Sequence, residues 1–548
     1  MKQTPDIEWL QRKWGLPAHA VKPVQDLLRE ESSGSTACVI AETIADWGAA
    51  AGGVESSTPL VIIENGGKQY LQSRRLCAAE HDVATRILGM AGKEIPLPGA
   101  IGQLPALFPD AAKSDLQAAA ARVAMSRQLT MITGGPGTGK TYTLARILAL
   151  LVASGIPANS IQLAAPTGKA SDRMKRAVSD SLAGLLEDFQ KHGESLARVA
   201  DASSTLHKLL RYNSRTGRTS FNARQPLPCG VLIVDECSMV DVLLWRVVLQ
   251  ALPGNCRLIL LGDPNQLESV GQGNVFTELA RAAGEAGSPL GLAHVHLMEA
   301  RRFKDRPDIL AFARALEESD ADAAAKLLDD SRGSNATRGL AWLENPSASF
   351  PCVSFPKPVL DALETVALAE SPEGAIAALG KICILTAQRE FFVGAKAVSA
   401  GIDQHFLSRK GVRNQPVIIN QNDPETGLRN GTVGVIHTAP DGKRKAWFQA
   451  GDGKLKDVAV AKLPDFSPAW AITIHRSQGS EYDDVLVILP RMESPMATRE
   501  LLYTAITRAR KNVYIAGDME TVKKAVVTSS ARCTMLASFL HPNTQVSG

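Results

Sequence analysis

The sequence predicts an α/β protein of two tandem units, each a parallel sheet covered by helices. Three observations carry that expectation. The Gly-rich segment Gly134-Gly135-Pro136-Gly137-Thr138-Gly139-Lys140-Thr141 follows a buried strand pattern at Leu129 to Thr133 and precedes an apolar helix pattern from Tyr142 to Ala153. Short apolar strands at 129–133, 161–165, 230–234, 257–261 and 293–297 alternate with helical stretches. A second series follows at 382–386, 415–419, 470–474, 484–489 and 512–516, with no second Gly-rich segment. Strands separated by helices are joined by crossovers, which set neighbouring strands parallel and cover both faces.

In chain order, residues 1–110 are Ala-rich and read as a mostly helical domain, as in Ala41 to Ala51 and His81 to Gly92. No catalytic constellation lies there, so packing or partner binding is its expected role. The first α/β unit is expected over 111–300 and the second over 301–548. Inside the second, residues 415–465 hold short β-like runs between turn signals at Asn430-Gly431, Asp441-Gly442 and Gly451-Asp452-Gly453. These read as a small β-barrel-like insertion. Residues 317–350, with Asp320, Asp322, Asp329 and Asp330, read as a polar, irregular, solvated connection rather than a metal site.

Composition bounds the class. For 548 residues the length prior is about three or four domains. A hydrophobic fraction of 45% and a charged fraction of 21% are those of a soluble globular chain. The net charge of +4 is too small to argue for or against nucleic acid, because a local basic groove can hide in a near-neutral total. Eight scattered cysteines without a C-x-x-C pair speak against a metal knuckle and for a reduced, cytoplasmic setting. The first residues, Met1 to Asp6, lack the apolar core of a signal peptide, and no stretch reaches the roughly 18 apolar residues of a membrane span.

The Gly-rich segment fits G-x-x-x-x-G-K-[ST], which cradles nucleotide phosphates. Strand, loop and helix in that order aim backbone N–H groups and a helix N-terminus at one anion. Lys140 is expected to reach the β/γ-phosphates and the Thr141 hydroxyl to bind Mg²⁺. Val231-Leu232-Ile233-Val234-Asp235-Glu236 is an apolar strand ending in two acids. Beside the loop, Asp235 would hold Mg²⁺ while Glu236 orients and deprotonates the attacking water. Arg257 to Leu261 is another strand, ending in the polar loop Gly262-Asp263-Pro264-Asn265-Gln266-Leu267, whose Gln266 could report on the γ-phosphate. Phosphoryl transfer also calls for cations on the developing charge. Arg302 and Arg508 are the candidates.

Taken together, these segments over about 105–520 resemble superfamily 1 helicases, and most closely the RecD branch, the alpha subunits of exodeoxyribonuclease V. Leu116-Gln117 looks like the adenine-reading glutamine motif. Ala165-Pro166-Thr167-Gly168-Lys169-Ala170 resembles a loop that touches single-stranded DNA, and Thr205-Leu206-His207-Lys208 resembles the family's Thr-Leu-His segment. Ala469-Trp470-Ala471-Ile472-Thr473-Ile474-His475-Arg476-Ser477-Gln478-Gly479-Ser480-Glu481 and Thr498 to Arg510 are the most specific matches.

The resemblance implies two RecA-like domains, an SH3-like insertion, and ATP with Mg²⁺ bound between the two units. Lys140, Glu236 and Gln266 would act from one side, Arg302 and Arg508 from the other. Gln117, Gly134 to Thr141, Tyr142 and Glu481 would surround the nucleotide, and Pro166, Thr167, Lys169, His207, His475 and Gln478 would track DNA. It further implies 5′→3′ unwinding from duplex ends, RecB-like and RecC-like partners, a role in break repair and recombination, and a bacterial cytoplasmic setting. No separate carboxylate cluster suggests a nuclease, so cutting is expected of a partner chain. Three departures stand out: Arg301 where relatives place an aromatic, Cys237 in place of a small residue, and a partial Gly-containing segment at Gln388 to Gly394. A stand-alone helicase and a non-hydrolysing ATP-binding scaffold are the rival expectations.

Overall fold

The computed structural model describes residues 7–40, 47, 50–54, 57–96, 99–109, 115–184, 189, 192–213, 216–299, 303–332, 339–344, 355–391, 393–407, 409, 411–449, 454–490, 494, 496–530 and 532–541. They fall into two compact units. The first comprises Met1–Pro264, Glu268–Glu299 and Ala531–Gly548, the second Asn265–Leu267 and Ala300–Ser530. Among the described residues no helix is long and apolar enough to cross a membrane.

The first unit is built on six strands in the order His294–Leu297, Leu129–Gly134, Arg257–Gly262, Val231–Val234, Ile161–Ala165, Ser204–Thr205. Every neighbouring pair is parallel. Period-two alternation sends Leu129, Met131, Leu232, Val234, Leu258 and Leu260 into one apolar layer. Ile132, Ile161, Leu163, Ile233, Ile259 and Leu261 enter the other. Both faces being covered, these strands read as continuous apolar runs, which made them legible. A parallel sheet also gathers its strand C-termini on one edge, where Gly134, Ala165, Val234 and Gly262 lead into the polar loops.

Residues before 110 combine helices with a four-stranded sheet, ordered Ala37–Val39, Lys68–Ser73, Leu60–Asn65, Ala51–Gly52. Helices predominate there as expected, and the sheet is an addition that the alanine-rich composition does not announce. Leu60–Asn65 and Lys68–Ser73 form a hairpin through Gly66 and Gly67, both with positive φ (57° and 72°). Tight hairpin turns favour that conformation and glycine supplies it without strain. Of the expected helix Ala41 to Ala51, residues 41–46 and 48–49 lie outside the described residues, and Ala51 starts a strand. The helix Arg74–Ala91 covers the expected His81 to Gly92 to within a residue. It packs Leu76, Val83 and Ile87 into the same core as Trp245 and Leu249 of the helix Val242–Ala251 and the sheet residues Leu129 and Leu232, so position 110 is not a boundary between separate cores.

The second unit carries five parallel strands in the order Gly339–Glu344, Ala509–Gly517, Tyr482–Ile488, Ile382–Thr386, Ala471–Thr473. Gly339–Glu344 lies in the stretch read as a solvated connection, as does the helix Ala321–Asp330. That reading is corrected: Leu340, Ala341 and Trp342 are buried, and Asp320 caps the helix by accepting from Ala323 N at 2.9 Å. The acids had drawn attention from a short apolar run between them.

The expected strand 415–419, observed as Asn414–Ile419, belongs instead to an antiparallel sheet. Its order is Leu455–Ala459, Arg444–Gln449, Val433–Thr438, Asn414–Ile419, Phe466–Pro468. Val417, Ile419, Ile436, Ala446 and Phe448 give this insertion its own core. Among the described residues no strand pair joins its two edges, so it is an open sheet by hydrogen bonding rather than a closed barrel.

After the second unit, residues 532–541 return to the first. Arg532 pairs with Glu268 at 2.7 Å, and the helix Leu536–Leu540 adds Leu536 and Leu540 to the core around Arg74–Ala91. Two buried carboxylates hold this strap: Met535 N donates to Glu80 at 3.2 Å and Ala537 N to Glu278 at 3.0 Å. Glu80 also accepts from Thr36 and from Gln72, each at 2.6 Å. Burial pushes Glu80 up to about 7, and burial together with the charge of Glu80 pushes Glu278 up to about 8.

Candidate nucleotide and nucleic-acid sites

Within the first unit the Gly-rich loop leaves the buried strand Leu129–Gly134 and enters the helix Lys140–Ala153. Gly137 and Gly139 have φ of +77° and +88°, a conformation most L-residues avoid. A Cβ on Gly139 would collide with the Gln117 amide. Thr138 Oγ1 donates to Gly135 O at 2.9 Å, closing the loop on itself. Lys140 Nζ donates to Gly134 O at 2.5 Å and Gly135 O at 3.0 Å, which keeps the ammonium at the loop.

Gln117 donates to Thr138 O at 3.0 Å, while its buried Oε1 has no hydrogen-bond partner among the described residues. An unsatisfied buried acceptor is costly, and an adenine exocyclic amine is a donor of matching chemistry. Tyr142, on the first turn of the loop helix, stacks under the Arg146 guanidinium at 3.2 Å from the ring centroid.

Asp235 and Glu236 leave the buried strand Val231–Val234 at the same sheet edge. Glu236 takes a left-handed backbone (φ 54°, ψ 44°), uncommon outside glycine and a mark of functional positions. Its N–H donates to Asp235 Oδ1 at 2.8 Å. Burial, followed by the charge of Glu236, raises Asp235 to about 6; Lys140 and Arg173 oppose that rise. A buried acid in unfavourable company, facing a lysine, is a donor set suited to a divalent cation shared with phosphate oxygens. Thr141, the hydroxyl expected of that set, follows Lys140 on the first turn of the loop helix.

The expected nucleic-acid residues of this unit lie at strand ends. Pro166 and Thr167 follow Ile161–Ala165, and Thr167 caps the helix Gly168–Ala183 by accepting from Ala170 N at 3.2 Å. Lys169 on that first turn is exposed. His207 is exposed on the turn Leu206–Leu209, its ring edge-on to Tyr212 at 5.2 Å.

In the second unit Arg508 is 2% exposed. It donates to Thr504 O at 3.1 Å, Ser480 O at 3.4 Å and Gln266 Oε1 at 2.9 Å. Gln266 is the residue expected to report on the γ-phosphate. Its segment Asn265–Leu267 packs in the second unit, where Leu267 N donates to Thr504 Oγ1 at 2.7 Å and Gln478 Nε2 donates to Leu267 O at 3.3 Å. One polar network thus ties Gln266, Gln478 and Arg508 together. His475 sits on the turn Ile474–Ser477, beside Arg476, which donates to Asn420 Oδ1 at 3.1 Å. Glu481 is held by Arg510 at 3.2 Å. Arg302 and Arg301 lie outside the described residues.

An AAA domain family matches residues 117–272, and a UvrD-like helicase C-terminal domain family matches 468–516. RecBCD enzyme subunit RecD of Mycolicibacterium smegmatis is 34% identical over 491 residues, spanning 87% of this chain and 82% of that protein. The RecD subunit of Mycobacterium tuberculosis H37Rv is 33% identical over 507 residues, 90% and 84% of the two chains. That of Haemophilus influenzae is 30% identical over 474 residues, 78% and 72% of the two. The chain belongs to the RecD family.

For a RecD-family chain, Cys237 is an inert departure. It is fully buried, bonds Val234 O at 3.2 Å, and its thiol is raised well above the ordinary range by burial. Two further residues of this chain carry no motif that marks them in the sequence. Arg173 lies 3.7 Å from Glu236, and its only local signal was a basic residue on the helix after Pro166-Thr167. Phe391 is 77% exposed with φ of +75°, a strained aromatic whose signal was the run of two phenylalanines ahead of Gly394. Strain of that kind clusters at ligand clamps.

Proposed function

We propose that this chain is an ATP-dependent DNA helicase, the RecD-type motor subunit of a RecBCD-like enzyme acting in break repair and recombination. One observation carries the reading: the Gly-rich loop, Lys140 and the Asp235–Glu236 pair meet at one sheet edge in a chain 34% identical to a RecD subunit over most of both lengths.

The loop's N–H groups and Lys140 bind the phosphates, and Gln117 reads the base through its unpaired Oε1. Thr141 and Asp235 would hold Mg²⁺, which neutralises charge on the phosphate oxygens. Glu236 orients the attacking water and takes its proton. Charge that develops on the transferred group calls for further cations, a role that the resemblance gives to Arg302 and Arg508. Pro166, Thr167, Lys169, His207, His475 and Gln478 follow the single strand, through backbone contacts and stacking. The 5′→3′ direction, RecB-like and RecC-like partners, strand cutting by a partner chain and a cytoplasmic setting come with the family.

The decisive experiment measures ATP turnover with and without single-stranded DNA, alone and with RecB-like and RecC-like chains. Single-stranded DNA raises turnover, and Lys140→Gln abolishes it while leaving the circular-dichroism spectrum unchanged. Turnover indifferent to DNA removes the motor reading. Failure to co-purify with the two partners points to a stand-alone helicase.

A further inference from the structure

The helix Gly168–Ala183 carries two features that belong to different steps of the proposed reaction. At its start, Thr167 caps the helix and Lys169 stands exposed on the loop assigned to the single strand. Further along, Arg173 Nη1 lies 3.7 Å from Glu236 Oε1. From cap to guanidinium the helix rises about 9 Å. Helices move as stiff rods, so a displacement of the first turn reaches Arg173 with little loss.

The pair is built to matter to Glu236. The Glu236 side chain is 16% exposed and that of Arg173 35%, so water screens the interaction only in part. Asp235 feels the same guanidinium. A carboxylate held on the flank of the site by a guanidinium 3.7 Å away is not free to swing towards a water. The helix is also tied to the segment 201–203, which can shift with it: Ser171 Oγ bonds Ser203 Oγ at 3.0 Å, and Lys175 pairs with Asp201 at 2.9 Å. Loss of the Arg173–Glu236 pair therefore leaves the helix docked.

We infer that Arg173 is a positioning residue that parks Glu236 in the strand-free state and releases it when single-stranded nucleic acid engages the Pro166–Lys169 loop. Arg173 thereby couples strand binding to hydrolysis without touching the nucleotide. This inference rests on Glu236 being the base of the proposed ATPase.

The test uses the full chain, ATP, and an oligothymidylate single strand. Arg173→Ala raises the strand-independent kcat by about fivefold, the factor given by about 1 kcal/mol, while KM for ATP is unchanged. The ratio of stimulated to basal turnover shrinks accordingly. Arg173→Lys keeps a cation near Glu236 and restores most of that ratio. Equal loss of basal and stimulated turnover in Arg173→Ala, or an unaltered ratio, overturns the inference. Glu236→Gln, run in parallel, abolishes both rates; if it does not, the assignment of the base has failed rather than that of Arg173.

Discussion

Phe391 shows how much one side chain departs from the rule that apolar groups hide. At 77% exposure, on a left-handed backbone, it forgoes both burial and local ease. A flat exposed ring offers a surface for a nucleobase, and such stacking contributes about 1–3 kcal/mol per base. Phe391→Ala is therefore expected to weaken binding of an oligothymidylate by about fivefold or more, read by fluorescence anisotropy, with ATP affinity in the absence of DNA unchanged. Residues with chemistry at fixed spacing, such as Lys140, Asp235 and Glu236, were legible because phosphate and metal binding constrain identity and order. Arg173 and Phe391 were not, since their significance lies in a neighbour far along the chain and in a φ angle, and no local pattern encodes either. Gln266 was legible as a polar loop residue, while its bond to Arg508 depended on where that loop packs.

Single elements are set by caps and by the layers they join. The helix Arg499–Ile506 presents Tyr503, Thr504 and Ile506 to the second unit and begins at Thr498, whose Oγ1 accepts from Leu501 N at 3.3 Å. Thr498→Ala should cost about 1 kcal/mol. Because Thr504 and Arg508 hang on this helix, the Gln266 network loosens with it. The expected result is an earlier unfolding transition of the second unit in urea, together with a fall in ATP turnover. Core strands buried on both faces were read correctly because apolar runs leave little choice. The N-terminal sheet was missed because alanine content outweighed the Gly66-Gly67 turn. Gly339–Glu344 was missed because its short apolar run sits among polar residues, and only its pairing with Ala509–Gly517 makes it a strand.

Across the molecule, the pH response of stability is written in Glu80 and Glu278. Burial, first among the causes, raises them to about 7 and about 8, against about 4.3 for an unperturbed glutamate. The folded state therefore holds protons that the unfolded chain releases. Their favourable share is complete below the ordinary carboxylate range and is lost as pH climbs towards 7–8. Unfolding of the first unit, followed in urea, should accordingly grow easier from pH 6 to pH 8. Glu278→Gln, which cannot ionise, should flatten that slope, whatever it does to stability at one pH. A variant with an unchanged slope would refute the assignment.

Those same carboxylates grip residues 532–541, so the earlier core is finished by a segment synthesised after the whole later unit. During translation the ribosome must emit Met535 and Leu536 before Glu80 and Glu278 can find their backbone donors. The opening half of this protein thus waits, incompletely closed, until the whole later unit has been read. A nascent chain stalled shortly before Arg532 should be far more protease-sensitive there than one stalled after the strap has cleared the exit tunnel.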